Sequence, residues 1–336
     1  MVLSLVMLIA GFALLIKGAD VFVDASVNIA KKLNIPSILI GLTIVSLGTS
    51  APEIVISVNA SIRGSNELAI GNVIGSNVFN MIFIVGLCAM VKPFAVNIKE
   101  LAKDYWIAIA ATVVLLLLKL VSGDYIPRLG AFVLLAAFAV YMIQLIRPAL
   151  KNKKAGLEAD QKADQKEYHQ KSDEVGHHSH SGQPMQPVRP LHISILVVVL
   201  GCGLIVLGGH ITVTGAMSLA EMIGVTERVI ALTVVAVGTS LPELVTSLVA
   251  CKKGETDVAL GNVVGSSIFN ILFILGLAGV ISPLAINETL QLDVIFLILG
   301  SVLMFLLLYT GSRLTRTEGF VMVAINVTYM LFIIAN

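Results

Sequence analysis

Gly48-Thr49-Ser50-Ala51-Pro52-Glu53 returns 190 residues later as Gly238-Thr239-Ser240-Leu241-Pro242-Glu243, each copy set inside a long apolar run. Pro52 and Pro242 lack an amide hydrogen and clash with the carbonyl four residues back, so each copy predicts a helix broken near its middle. The carbonyls near Gly48 and Gly238 are thereby released. Working outward, residues 41–93 align without a gap on 231–283, with 25 of 53 positions identical. The identities fall on Gly, Thr, Ser, Pro, Glu, Asn and Phe, which greasy helices do not share by accident. A second motif, from Gly71 to Asn80, reads GNVIGSNVFN and is matched by GNVVGSSIFN from Gly261 to Asn270.

Composition fixes the setting of this duplication. Of 336 residues, 57% are apolar and 13% charged, with a mean hydropathy of +0.95. A soluble domain carries about twice that charge. A span needs about 20 apolar residues, and the chain reads as ten spans. They lie near 2–24 (with a polar extension to Leu33), 36–62, 67–91, 102–121, 126–147, 192–216, 225–251, 255–281, 291–310 and 318–335. The first run lacks a basic leader and a cleavage site, and reads as a retained span. Seventeen Lys and Arg fall in the odd-numbered connections and four in the even ones. Odd connections are therefore expected to be cytoplasmic and both termini outside, with the plasma membrane as the default location.

Five spans per half is an odd number, so the copies should sit upside down relative to each other. The expected fold is an all-α membrane protein of ten transmembrane helices, in two inverted five-helix repeats with broken helices at an ion site. The expected units are 1–148, a disordered cytoplasmic linker at 149–190, and 191–336. The linker is polar and holds His169, His177, His178 and His180, a composition that suits either a solvated spacer or loose metal binding. Cys88, Cys202 and Cys251 have no paired spacing and read as apolar packing residues.

Glu53 and Glu243 lie near the middle of their spans. There an acid costs about 2.5–3.5 kcal/mol on insertion scales, so each marks a candidate functional site. No Lys or Arg lies in spans 2, 3, 7 or 8 away from their ends, which argues against structural ion pairs. Thr49 and Ser50 precede Glu53 by four and three residues and are expected on its helix face, with Thr239 and Ser240 repeating this beside Glu243. Ser76 and Asn80 are four apart, as are Ser266 and Asn270. Gly71, Gly75 and their counterparts permit close helix approach or a second break. Ser, Thr and Asn could also be interhelical glue, but their recurrence in both halves favours a site. The cluster is all oxygen, which suits Na⁺, Ca²⁺ or Mg²⁺ rather than zinc or copper. Two carboxylates balance one Ca²⁺ or two Na⁺, and competition for such a site is a basis for exchange. Asp20 and Asp24 read as a cytoplasmic mouth or a solvated helix end. Asp104, Asp124, Asp293 and Glu318 read as interfacial.

At these motifs the chain resembles the calcium/cation antiporter superfamily, in its bacterial and archaeal sodium/calcium exchanger branch. The resemblance implies four ion subsites in a diamond, with Glu53 and Glu243 as central calcium ligands and Thr49 and Thr239 giving backbone oxygens. Ser50, Ser76, Ser240 and Ser266 would serve sodium, as would the carbonyls of Ser46 and Ala236. Some family members, typically the potassium-dependent ones, carry Asp where this chain has Asn270, so potassium co-transport is not expected. The GNxxE element of the proton-coupled branch is absent, since Gly71-Asn72 leads to Gly75 and Ser76. The expected function is Na⁺/Ca²⁺ antiport by alternating access. A proton-coupled antiporter and a passive cation channel are the alternatives. No metalloprotease motif, nucleophile–base pair or phosphate loop points to an enzyme. The expected partners are Ca²⁺, Na⁺ and the bilayer, without nucleic acid, cofactor or an obligatory protein partner.

Overall fold

The computed structural model describes residues 1–96, 98–123, 125–148, 190–225, 236–311 and 313–335. The first apolar run forms one helix, α1 (Val2–Leu33), whose 32 residues exceed what the bilayer core requires. Asn34 ends it in the left-handed conformation (φ 51°), with Lys31 and Lys32 in the last turn against the negative end of the helix dipole. Next come α2 (Ser37–Thr49) and α3 (Ala51–Ile62), bent by 51° at the proline motif. Then follow α4 (Asn66–Val91), α5 (Ile98–Ser122), α6 (Arg128–Pro148) and α7 (Leu191–Met222). The short α8 (Ala236–Thr239) and α9 (Leu241–Lys253) repeat the break. The chain continues through α10 (Thr256–Ile281), α11 (Glu288–Gly311) and α12 (Arg316–Ala335).

Eight helices among the described residues are long and apolar enough to cross a membrane, and the bent pair α2–α3 makes a ninth. The chain is an all-α, multi-pass membrane protein. The expected span near 225–251 contains α8 and α9 but begins in residues outside the described ones, as does the expected linker. Burial separates core from periphery. The most apolar windows of α4 and α10 are 78% buried, whereas those of the other spanning helices are 17–33% buried and leave most of their surface to lipid.

The duplication is legible element by element. Phe79–Ile84 and Phe269–Ile274 are both π-helical, 190 residues apart, and the α-helical ends that follow keep the same offset. So do the two-residue strands β1 (Phe94–Ala95) and β3 (Leu284–Ala285), to which β2 (Tyr125–Ile126) and β4 (Arg313–Leu314) are added. β1 pairs antiparallel with β4, and β2 with β3, in the registers Phe94↔Leu314 and Tyr125↔Ala285. Each half thus lends the other the same strand contact, once at each end of α5. The second break expected at Gly71 or Gly75 does not occur. The helix instead widens into a π turn at Asn80 and Asn270, an irregularity frequent at functional sites.

Helix α1 runs antiparallel to α7 along a seam of small residues. A Cβ on Gly208 would meet the Gly11 carbonyl at 2.8 Å, one on Gly201 the Gly18 carbonyl at 3.2 Å, and one on Gly215 the Ser4 carbonyl at 2.8 Å. The contacts step by seven residues on both helices, and without side chains between them the backbones touch. In the core, α2 crosses α10 at Gly41, Gly261 and Gly265. A Cβ on Gly261 would lie 2.6 Å from the Ile38 carbonyl and 2.9 Å from Gly41 Cα. Close approach is therefore correct for the second-half glycines. Gly71 meets only Leu290, at 3.7 Å, among the described residues.

Two of the acids read as interfacial, Asp104 and Asp293, lie near the starts of their helices and are covered by protein. Asp104 is buried, because the inward face of α5 runs through Leu101, Asp104, Tyr105 and Ala108. Asp293 is half-buried and accepts a 2.6 Å hydrogen bond from Tyr329. Glu318 forms a capping box for α12: its Oε2 accepts from the Thr315 amide at 2.8 Å, while its own amide donates to Thr315 Oγ1 at 3.3 Å. Asp124 lies outside the described residues.

Candidate ion-binding site

Helices α3 and α9 begin where the proline motifs break the chain. Ser50 (φ −81°, ψ 9°) and Ser240 (φ −89°, ψ 6°) occupy the two N-cap positions, and neither caps its own helix. Their hydroxyls cross between the halves instead. Ser50 Oγ donates to Glu243 Oε1 at 2.9 Å, and Ser240 Oγ donates to Glu53 Oε1 at 3.4 Å. Ser76 Oγ adds a donor to Glu53 Oε1 at 3.3 Å. Both glutamates have no solvent exposure and sit in the first turn of their helices. Each helix N-terminus places positive potential at a carboxylate and offsets part of their mutual repulsion.

The expectation that Thr49, Ser50 and Glu53 share one helix face is not met. The bend at Ser50 separates them, so that Ser50 faces Glu243 while Thr49 Oγ1 donates to Asn262 Oδ1 at 3.0 Å. Thr239 is buried. Ser46 is buried, and its carbonyl accepts one helical hydrogen bond, from the Ser50 amide at 3.0 Å, which leaves its second lone pair open. The released carbonyl is that of Gly48, four residues before Pro52, and Cys202 Sγ donates to it at 3.4 Å. Cys202 therefore does more than pack. Ala236 opens α8, at the position equivalent to Ser46.

Six atoms of these residues are buried without a hydrogen-bond partner among the described residues: Glu53 Oε2, Glu243 Oε2, Ser266 Oγ, Asn270 Oδ1, and both Asn80 Oδ1 and Nδ2. Buried polar atoms in native proteins are nearly always paired, and an unpaired one costs about 1–3 kcal/mol. Five of the six are oxygens. Such a set accepts hard cations and fits Na⁺ or Ca²⁺.

A ring of polar residues behind the site has no role in the motif reading. Asn72 Nδ2 donates to Ser57 Oγ, and Asn262 Nδ2 to Ser247 Oγ, both at 3.0 Å. These pairs hold each proline-broken helix to the helix after it. Their signal was present in the repeat, since Ser57/Ser247 and Asn72/Asn262 are identical at the 190-residue offset. Asn77 was harder to find, because its counterpart is Ser267.

Asp20 and Asp24 are solvated, as expected of a helix end, and are paired with a lysine. Lys253, at the end of α9, reaches Asp20 Oδ1 at 2.7 Å and Asp24 Oδ1 at 2.6 Å, clasping α1 to α9. The counterparts His210, Thr214 and Arg63 cannot reproduce this, so the clasp exists in one half only. The carboxylates are 44% and 61% exposed, and each such pair contributes about 0.2–1 kcal/mol. Lys253→Met is expected to lower the melting temperature slightly. That difference should shrink in about 0.5 M choline chloride, which screens charge without supplying a transported ion.

The family model described as sodium/calcium exchanger protein matches residues 3–147 and 193–335. The chain is 33% identical to the putative antiporter CaxA of Alkalimonas amylolytica, over 99% of both chains. It is also 33% identical to the sodium/calcium exchanger MaX1 of Methanosarcina acetivorans, over 98% of this chain and 97% of that one. Among solved structures it is similar to the sodium-calcium exchanger NCX_Mj soaked with Na⁺ and Ca²⁺, at a TM-score of 0.77 and 27% identity over 98% of each chain. With both halves matched and whole-length relatives at this identity, the chain belongs to the sodium/calcium exchanger protein family and is an ion-transporting membrane protein, not an enzyme.

Proposed function

We propose that this protein exchanges Na⁺ for Ca²⁺ across the plasma membrane by alternating access, at a site shared by Glu53 and Glu243. The buried carboxylate, hydroxyl and amide oxygens without hydrogen-bond partners among the described residues carry this reading, because their donor set suits a hard cation. The likeness to the sodium/calcium exchangers MaX1 and NCX_Mj supports the same ion pair.

In this reading Glu53 and Glu243 hold Ca²⁺. Ser50, Ser76, Ser240, Ser266, Asn80 and Asn270, with backbone oxygens of Ser46, Thr49, Ala236 and Thr239, complete the sites for Ca²⁺ and Na⁺. One ligand set cannot satisfy both ions fully, so occupancy by one displaces the other. The halves 1–148 and 191–336 form inverted five-span repeats, joined by a cytoplasmic linker at 149–190, with both termini outside. The antiparallel α1–α7 pair and the reciprocal strand pairs support the inversion. Helices α1 and α7 are the sliding elements, moving across a core of the broken spans with α4 and α10.

Proteoliposomes loaded with Na⁺ and diluted into sodium-free buffer at fixed pH are expected to take up ⁴⁵Ca²⁺. Uptake should collapse when both sides hold equal Na⁺. Uptake driven by a pH gradient and indifferent to Na⁺ would replace sodium by protons as the driving ion.

A further inference from the structure

The two halves are not equivalent at their second motifs. Asn77 Nδ2 donates to the backbone carbonyl of Ser267 at 3.1 Å, and Asn270 Nδ2 donates to Asn77 Oδ1 at 2.9 Å. All of these groups are buried. A backbone carbonyl can only accept, so Asn77 must turn its nitrogen towards it and its oxygen towards Asn270. Asn270 must then answer with its own nitrogen. Its oxygen is left over, buried and without a partner among the described residues. The polarity of this relay is thus set by one immovable group, the Ser267 carbonyl.

The other half has no such relay. Position 267 carries serine where the first half has Asn77, and Ser267 Oγ is spent on the Val263 carbonyl one turn back, at 2.9 Å. Asn80, the counterpart of Asn270, has neither its oxygen nor its nitrogen bonded among the described residues. No described residue holds its amide in one orientation.

We propose that Asn77 is a positioning residue that fixes Asn270 as an oxygen ligand in advance, while Asn80 must orient its amide when the ion binds. This deepens the reading of Asn270 as an ion ligand and rests on it. A ligand already oriented loses less freedom on binding. Asn77 therefore sets affinity at one side of a site whose motifs otherwise match. It touches no ion itself and acts through Asn270.

The test is a double-mutant cycle on the purified full chain, read by the rise of melting temperature with added Na⁺ or Ca²⁺. Asn77→Ala is expected to weaken apparent affinity for at least one ion by roughly fivefold, the worth of one net hydrogen bond. In flux assays KM should change more than kcat. In an Asn270→Ala background, Asn77→Ala should change affinity no further. Asn77→Ser, which copies residue 267, repeats the cycle if the alanine variant does not fold. Effects that multiply in the double variant would overturn the proposal. So would a folded Asn77→Ser protein with unchanged ion response, or a wild-type melting temperature indifferent to both ions. Wild-type flux judges the transport reading separately: a protein that binds ions but does not exchange Na⁺ for Ca²⁺ sinks that reading and leaves the cycle readable.

Discussion

Glu53→Gln and Glu243→Gln are each expected to cut Na⁺-driven ⁴⁵Ca²⁺ uptake by at least about 30-fold. Truncating one member of a buried, charged contact costs about 2–5 kcal/mol, and 1.4 kcal/mol is a factor of ten. Glutamine keeps the shape and retains an oxygen for Ser76 and Ser240 at position 53, or for Ser50 at position 243, so folding should survive. The apo protein should in fact melt higher. In the wild type two buried carboxylates face each other across the site without a Lys or Arg partner among the described residues, and removing one charge relieves that cost. A higher apo melting temperature, a lost Ca²⁺-dependent rise and near-zero flux together form the expected signature. Near wild-type flux in both variants would remove these residues from the site.

The second large effect is structural. Gly261→Leu is expected to abolish recovery of monodisperse protein from detergent, and Gly261→Ala to destabilise by about 1–3 kcal/mol, the range for overpacking. Even the first carbon of a side chain would lie 2.6 Å from the Ile38 carbonyl and 3.0 Å from the Leu42 amide. Both neighbours are backbone and cannot swing aside. Gly203 on α7 supplies the contrast, being exposed with no described atom within 4 Å of an added Cβ. Gly203→Leu should elute like the wild type on size-exclusion chromatography. Equal behaviour of the two leucine variants would mean that α2 and α10 do not cross where described.

The contact at Gly261 matters because it sets how the halves meet. Helices α2 and α10 belong to different copies, and their backbone contact brings the proline break of one half beside the second motif of the other. Thr49 then reaches Asn262, and the N-cap serines exchange carboxylates. Leucine at position 261 would part these elements before it touched any ligand. Its expected defect is therefore in assembly, whereas glutamine at 53 or 243 leaves assembly intact and removes only charge.

The sequence by itself determined whatever is local or duplicated. Pro52 and Pro242 break their helices because a missing amide hydrogen acts within four residues. Glu53 and Glu243 stand out because no apolar helix carries an unpaired acid at its middle without use. The repeat told which polar residues to trust, and it also contained Asn72 and Asn262, unread for want of a partner. Contacts between the halves were decided by tertiary structure alone. Ser50 serves Glu243 rather than Glu53, and Lys253 bridges Asp20 and Asp24. Cys202 of the second half donates to the Gly48 carbonyl of the first although no spacing links them, and Asn77 orients Asn270. The physical reason is common to all four. A hydrogen bond or ion pair between distant residues depends on how two separate helices face each other, to within a fraction of an ångström. Periodicity fixes a face relative to its own helix axis, and only packing fixes what that face meets.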